Sequence, residues 1–288
     1  MTVHLVTFGS RPEWSLALKR LQKQVRNHPY ISCFKIYDNH DLHKLKLLND
    51  HQEFIDKNKR GFGYWIWKPA IMLDALQYLK ENDILIYMDA GCELNVTKGA
   101  NQRFLDYLML SSTYEGINFK LNLLEQNWTH PEVFQKLHGV NTSFQTMAGI
   151  IIIRKTSNSK TILKNWFNLM IVENYKNVLG SISLLDRRKY PYFQEHRHDQ
   201  SIWSLTSSKW NFLNLPDETY FHSGWVSEGQ NFPFWSTRNT SMLPVNTPKL
   251  VLLTYQYFGE FIIKTSSKLL SILRNKLKMK CSRIFKGF

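Results

Sequence analysis

The stretch Asp83-Ile-Leu-Ile-Tyr-Met-Asp-Ala-Gly91 decides how this chain reads. Ile84 to Met88 form a short apolar run rich in β-forming residues, the mark of a buried strand. The run stops at Asp89, followed by Ala90 and Gly91. A carboxylate at the C-terminal edge of a buried strand, beside a permissive glycine, is placed to meet a ligand, because ligands bind at that edge of an α/β sheet. Such a group can hold a hard cation, and the cation a diphosphate. Alone, an Asp-x-Gly is also a common turn cap.

Outward from this strand, the pattern alternates between strands and helices. Residues 3–8 read as a first strand, followed by a helical spacing of Trp14, Leu16, Leu18, Leu21 and Val25. Residues 31–37 read as a second strand, and Leu42, Leu45, Leu48 and Phe54 as a further helix. Pro69 suits the first turn of a helix running to about Leu79. Beyond Asp89, residues 99–110 read as helix and residues 147–154 as a central strand. A helix through Ile162, Leu163, Trp166, Phe167 and Met170 follows, then a polar loop near 186–198 and a short helix from Gln200. Residues 214–247, rich in Pro, Gly, Asn, Ser and Trp, read as ordered loops. The order predicts an α/β fold with a largely parallel sheet and helices on its faces.

The 288 residues suffice for a sizeable core. The net charge of +14, from 37 basic and 23 acidic residues, points to an anionic partner: nucleic acid, anionic lipid or a phosphorylated substrate. Cys33, Cys92 and Cys281 are scattered, without metal or disulfide spacing, which fits a reducing cytosol. The N-terminus lacks the pattern of a signal peptide, and no apolar run reaches the roughly 20 residues of a membrane span. From Phe261 to Phe288 there are eight Lys or Arg and no acid, interleaved with Leu and Ile. A basic amphipathic helix on an anionic membrane is the expected reading. A solvated helix packed on the domain, or a disordered tail, is the plain alternative, and nucleic-acid binding is the third option for want of a motif. The expected domains are therefore 1–258 and a C-terminal membrane-association segment, 259–288.

Three further clusters carry possible chemistry. In Arg60-Gly-Phe-Gly-Tyr-Trp-Ile-Trp-Lys-Pro69, glycines and cations stand before a helix, as suits a phosphate, and Tyr64 could stack on a base or sugar. In Glu195-His-Arg-His-Asp-Gln200, Asp199 and Gln200 could stand at a reacting centre, with a helix N-cap as the structural reading of Asp199. His222, in Tyr220-Phe-His-Ser-Gly-Trp225, could be a metal or phosphate ligand, although a lone His is more often structural.

Together and in this order, GYWIWKP, LIYMDAG, QTMAGIIIIRK, EHRHDQSIWSL and the HSGW loop resemble glycosyltransferases of the GT-A fold. The likeness is to bacterial and viral members that build capsule, lipopolysaccharide or other surface polysaccharides, and it spans residues 3–225. The resemblance implies a mixed, mainly parallel Rossmann-like sheet flanked by helices. It implies that Thr7, Gly9 and Ser10 meet the nucleoside of a nucleotide-sugar. Arg60, Tyr64, Lys68, Asp89, Ala90 and Gly91 would complete that site. Asp89 matches the first Asp of a metal-binding Asp-x-Asp, while Gly91 replaces the second. Mn²⁺ or Mg²⁺ would then be held by Asp89 with Glu93 or His222. The implied activity is hexosyl transfer, of the retaining type, to a saccharide or lipid-linked acceptor at the cytoplasmic face of the membrane. A nucleotidyl- or phosphotransferase, and a non-catalytic glycan- or nucleic-acid-binding module, are the alternatives.

Overall fold

The computed structural model describes residues 1–9, 12–180 and 184–247. The compact unit spans Met1–Met242, and a second unit begins at Leu243. Ser10, the expected boundary after residue 258 and the basic segment 261–288 lie outside the described residues.

Nine strands occur in chain order: β1 (Val3–Phe8), β2 (Cys33–Tyr37), β3 (Ile84–Met88), β4 (Glu93–Leu94), β5 (Gly116–Leu124), β6 (Phe144–Thr146), β7 (Ile150–Arg154), β8 (Phe212–Pro216) and β9 (Phe234–Trp235). Seven of them form one sheet in the order β2-β1-β3-β7-β5-β6, with β8 also paired to β5. β1 is parallel to β2 and β3, and β8 is parallel to β5. β7 runs against β3 and β5, and β6 runs against β5. The sheet is thus mixed, with β6 and β7 opposed to the other five, and helices cover both faces. That is the fold class expected from the motifs.

Every residue of β3 is buried, because the strand sits between β1 and β7 with both faces covered. Leu85 and Tyr87 join the apolar cluster that holds Ile71, Ile162, Trp166 and Trp203, from the helices Trp67–Leu76, Ser159–Leu179 and Asp199–Ser207. Ile84, Ile86 and Met88 join the opposite cluster with Leu21, Val25, Phe104 and Tyr107, from the helices Ser15–Arg26 and Lys98–Leu110. Strand alternation therefore puts Asp89 on the Tyr87 side. The helices that bring Lys68 and Asp199 pack on that same side.

The structure departs from the sequence reading in places. No strand is expected between residues 110 and 147, yet β5 and β6 lie there, and β8 opens the stretch read as loop. The single helix expected over residues 42–54 is three short pieces, Asn39–Lys44, Lys46–His51 and Gln52–Lys57. The polar loop near 186–198 starts inside a short helix, Leu184–Lys189. Among the described residues, no helix is long and apolar enough to cross a membrane.

Candidate active site

The helix Trp67–Leu76 is buried at eight of its ten positions, so its second residue, Lys68, has no exposed face to occupy. The Lys68 side chain is only 4% exposed and ends between two carboxylates. Its Nζ lies 2.8 Å from Asp199 Oδ2 and 3.3 Å from Asp89 Oδ1. It also donates to the Ala148 carbonyl at 3.2 Å. An ammonium has three protons, and three acceptors meet them here. Burial alone would lower the Lys68 pKa, but Asp199 and Asp89 outweigh it and hold the group charged.

The two carboxylates differ. Asp89 is 42% exposed and Asp199 only 7%. The Tyr87 hydroxyl donates to Asp89 Oδ1 at 2.5 Å, and the Asp89 backbone N–H donates to the Gly149 carbonyl at 2.8 Å. A Cβ on Gly149 would stand 3.0 Å from Asp89 Oδ2, so the absence of a side chain there gives the carboxylate its room. Asp199 opens the helix Asp199–Ser207 as its first residue, while His198 takes the cap position expected of Asp199. Burial pushes the Asp199 carboxyl up to about 6 against the pull of Lys68.

Two buried histidines hold the approach to this helix. His196 Nδ1 accepts from the His130 backbone N–H at 3.0 Å, and its Nε2 faces the Asn177 carbonyl at 2.8 Å, as a donor must. Burial brings its pKa down to about 3, so the ring is neutral. His198, at φ 51°, faces the Val178 carbonyl with Nδ1 at 2.7 Å. The two rings therefore serve the backbone. Gln200 donates to Gln145 Oε1 at 2.8 Å. Gln145 is itself buried, and its amide bonds Glu125, the Trp128 carbonyl, Thr129 and Ser201.

The cluster Arg60–Lys68 divides in two. Gly61, Phe62, Gly63, Tyr64 and Trp65 all have positive φ, from 51° to 83°, a left-handed turn just before the helix. Left-handed backbone costs roughly 1–2 kcal/mol per non-glycine residue, and such strain gathers at functional sites. The turn packs Tyr64 and Trp65 against His198, at ring distances of 4.9 and 6.0 Å. It leaves Arg60 at the surface, paired with Glu195 at 2.8 Å. Arg197 reaches the same Glu195 at 4.0 Å and lies over the Trp128 ring.

Several expected site residues are buried or already hydrogen-bonded within the protein. Thr7 is fully buried in β1, with no partner for its hydroxyl oxygen among the described residues. Gly9 closes β1, its N–H bonded to the Tyr37 carbonyl. Ala90 is buried. Lys68, expected on a phosphate, has its protons taken by Asp89, Asp199 and Ala148.

Among the described residues no three His, Cys, Asp or Glu side chains converge as metal ligands, so Asp89, Glu93 and His222 do not form one site. The reasons are local. Glu93 is 1% exposed and accepts from Thr237 and Asn239, at 3.1 and 2.8 Å. His222 is exposed on its own loop, against the Tyr220 ring. At Gly91, a Cβ would stand 3.1 Å from Trp14 and 3.2 Å from the Arg238 backbone, so a side chain there would crowd both.

The sequence reading passed over Arg238, Gln145, Glu125 and Gly149. Gly149 stands directly before the apolar run of β7, and Gln145 lies in β6, a strand not expected from the sequence. Arg238 lies in an aperiodic loop that gives no signal at all.

No protein-family model and no curated protein matches the sequence. Solved structures do resemble the fold. WbbM, a bifunctional glycosyltransferase, aligns at TM-score 0.49 and 12% identity, over 81% of this chain and 45% of its own. A glycosyltransferase involved in glycosylating the major capsid of PBCV-1 aligns at 0.44 and 9%, over 82% and 93%. The galactosyltransferase LgtC aligns at 0.36 and 14%, over 84% of each chain. Identities this low speak to fold alone.

Proposed function

We propose that this protein is a nucleotide-sugar-dependent glycosyltransferase of surface-polysaccharide synthesis. The observation that carries the reading is the pair Asp89 and Asp199, far apart in sequence and joined on one buried ammonium at the C-terminal end of β3. Asp89 is the exposed partner and is the group that meets the substrate. Asp199, being buried, acts through Lys68 as a positioning residue. Gln200, half-buried and held by Gln145, lines the same edge.

The reaction breaks the bond between the anomeric carbon and a diphosphate oxygen, and the electron pair leaves on the diphosphate. The acceptor hydroxyl oxygen forms the new bond and passes its proton to the departing diphosphate. Positive charge must meet the leaving diphosphate, and a fixed negative charge stabilises the oxocarbenium-like carbon. Asp89 supplies the second. Hexosyl transfer with retention, a lipid-linked or saccharide acceptor and docking at the inner membrane face belong to this proposal. The docking rests on the charge pattern of residues 261–288.

The test is nucleoside-diphosphate release from UDP-, GDP-, CDP- and dTDP-sugars, with product analysis. Wild type should release a nucleoside diphosphate from at least one, and Asp89→Ala should lose 100-fold or more. Release of pyrophosphate or monophosphate instead would point to a nucleotidyl- or phosphotransferase. No binding of any of these donors by wild type would sink the proposal.

A further inference from the structure

Behind Gly91 lies a strap, residues 237–241, held by the Gly91 carbonyl, Glu93 and Arg20. The Asn239 N–H and the Thr237 hydroxyl both donate to the Gly91 carbonyl at 2.9 Å. Glu93 accepts from Thr237 and Asn239. Arg20, 1% exposed, donates to the carbonyls of Cys92, Asn239 and Ser241. A buried Arg and a buried Glu thus fasten this strap to the turn that follows Asp89. Arg238 rides on it, with φ 53° and its Cα 3.2 Å from where a Gly91 side chain would begin. Its own side chain is exposed and has no ion pair or hydrogen bond among the described residues. This anchor holds an unpaired cation in strained backbone against Gly91, two residues after Asp89.

Arg238 does not stand alone. Burial lowers the Arg197 pKa, Glu195 opposes that, and Arg238 and Arg60 are near enough to add to the lowering; Arg197 and Arg60 share Glu195. Arg60, Arg197 and Arg238 outnumber Glu195, so positive charge is in excess here. A repulsive cluster of this kind is costly until an anion joins it, and guanidinium matches phosphate oxygens in bidentate fashion.

We infer that Arg238 and Arg197, with Arg60 beside them, hold the diphosphate of the donor directly, in the role that a divalent cation fills in an Asp-x-Asp site. The inference rests on the glycosyltransferase reading. Glu93 and Gly91 then have a different purpose from the one the resemblance gives them. Glu93 fixes the strap, and Gly91 lets the strap approach.

Calorimetric titration with UDP, GDP, CDP, dTDP and inorganic pyrophosphate, in EDTA and again in Mn²⁺, tests it. At least one nucleoside diphosphate should bind in EDTA, with Mn²⁺ changing its Kd by less than about threefold. Arg238→Ala should weaken that binding by about tenfold or more, and Arg197→Ala similarly. Arg238→Lys should recover part of it, and binding should weaken with added salt. The unfolding midpoint of Arg238→Ala should match wild type, since the side chain is exposed. Binding that requires Mn²⁺, or that survives Arg238→Ala unchanged, would overturn the inference and leave the glycosyltransferase proposal standing. No nucleotide binding under either condition removes both.

Discussion

Two cation–carboxylate groups join the segments 60–68 and 195–199, and they differ in almost everything but their chemistry. Lys68 is 4% exposed, between Asp89 and Asp199. Arg60 is 54% exposed, against a Glu195 that is 46% exposed. In water, a pair such as Arg60–Glu195 contributes about 0–1 kcal/mol. Removing one partner of a buried group leaves a charge with no water to replace it, at a cost of roughly 3–5 kcal/mol. The comparison teaches that the inner group fixes geometry, whereas the outer one is free to exchange its partners for a ligand.

The strongest way to break this contrast is Lys68→Met. It should lower unfolding free energy by about 3–5 kcal/mol in denaturant titration. Adding Asp199→Asn should recover part of the loss, because the sites share one interaction. A loss below about 1 kcal/mol would mean that water reaches the inner group.

Burial can be tested next at a site with no ion pair. His28 is 5% exposed, and burial brings its pKa down from 6.5 to about 4. The folded state therefore binds fewer protons than the unfolded chain across that window. Stability from this group is complete above 6.5 and falls as pH drops towards 4. Asp199, raised from 3.8 to about 6, works in the opposite sense, stabilising most below 3.8 and least above 6. Between about pH 7 and 4.5, His28→Leu should shrink the loss of stability by about 2 kcal/mol relative to wild type. An unchanged difference would show the imidazole to be solvated.

A smaller change probes the geometry of the inner group without removing any charge. Gly149→Ala sets a methyl 3.0 Å from Asp89 Oδ2. Displacing the carboxylate by a fraction of an ångström should cost about tenfold in kcat/KM, or about 1.4 kcal/mol. Unchanged kinetics would mean that the position of Asp89 is not critical. The smallest expected stability effect is that of Arg60→Ala, under about 1 kcal/mol by unfolding midpoint. A larger loss would place Arg60 with Lys68 on the structural side of the comparison.

The extent to which the sequence foretold these regions follows from how local each signal is. β1, β3 and the helix behind Pro69 are legible because continuous apolar runs and a proline act within a few residues. β5 hides its period in Ile117, Phe119 and Leu121, separated by Asn118 and Lys120, and a polar alternation of that kind is as easily a loop. The left-handed turn at Gly61–Tyr64 shows in the sequence only as two glycines. The strap at Arg238 has no local signature, since its shape comes from Arg20 and Glu93, distant in sequence.

By itself, the sequence determined that a buried strand ends in Asp89, that helices alternate with strands, and that cations and aromatics surround the edge. These are matters of hydrophobic period and residue type, which act over short spans of chain. Only the tertiary structure decided which charges share a partner. Lys68 faces inward because its helix is buried nearly all round, and Glu93 belongs to the strap because β4 pairs with β9. Arg238 reaches the Asp89 turn for the same reason. Electrostatic roles depend on distance and on exclusion of water, and folding brings both to residues that the sequence keeps more than one hundred positions apart.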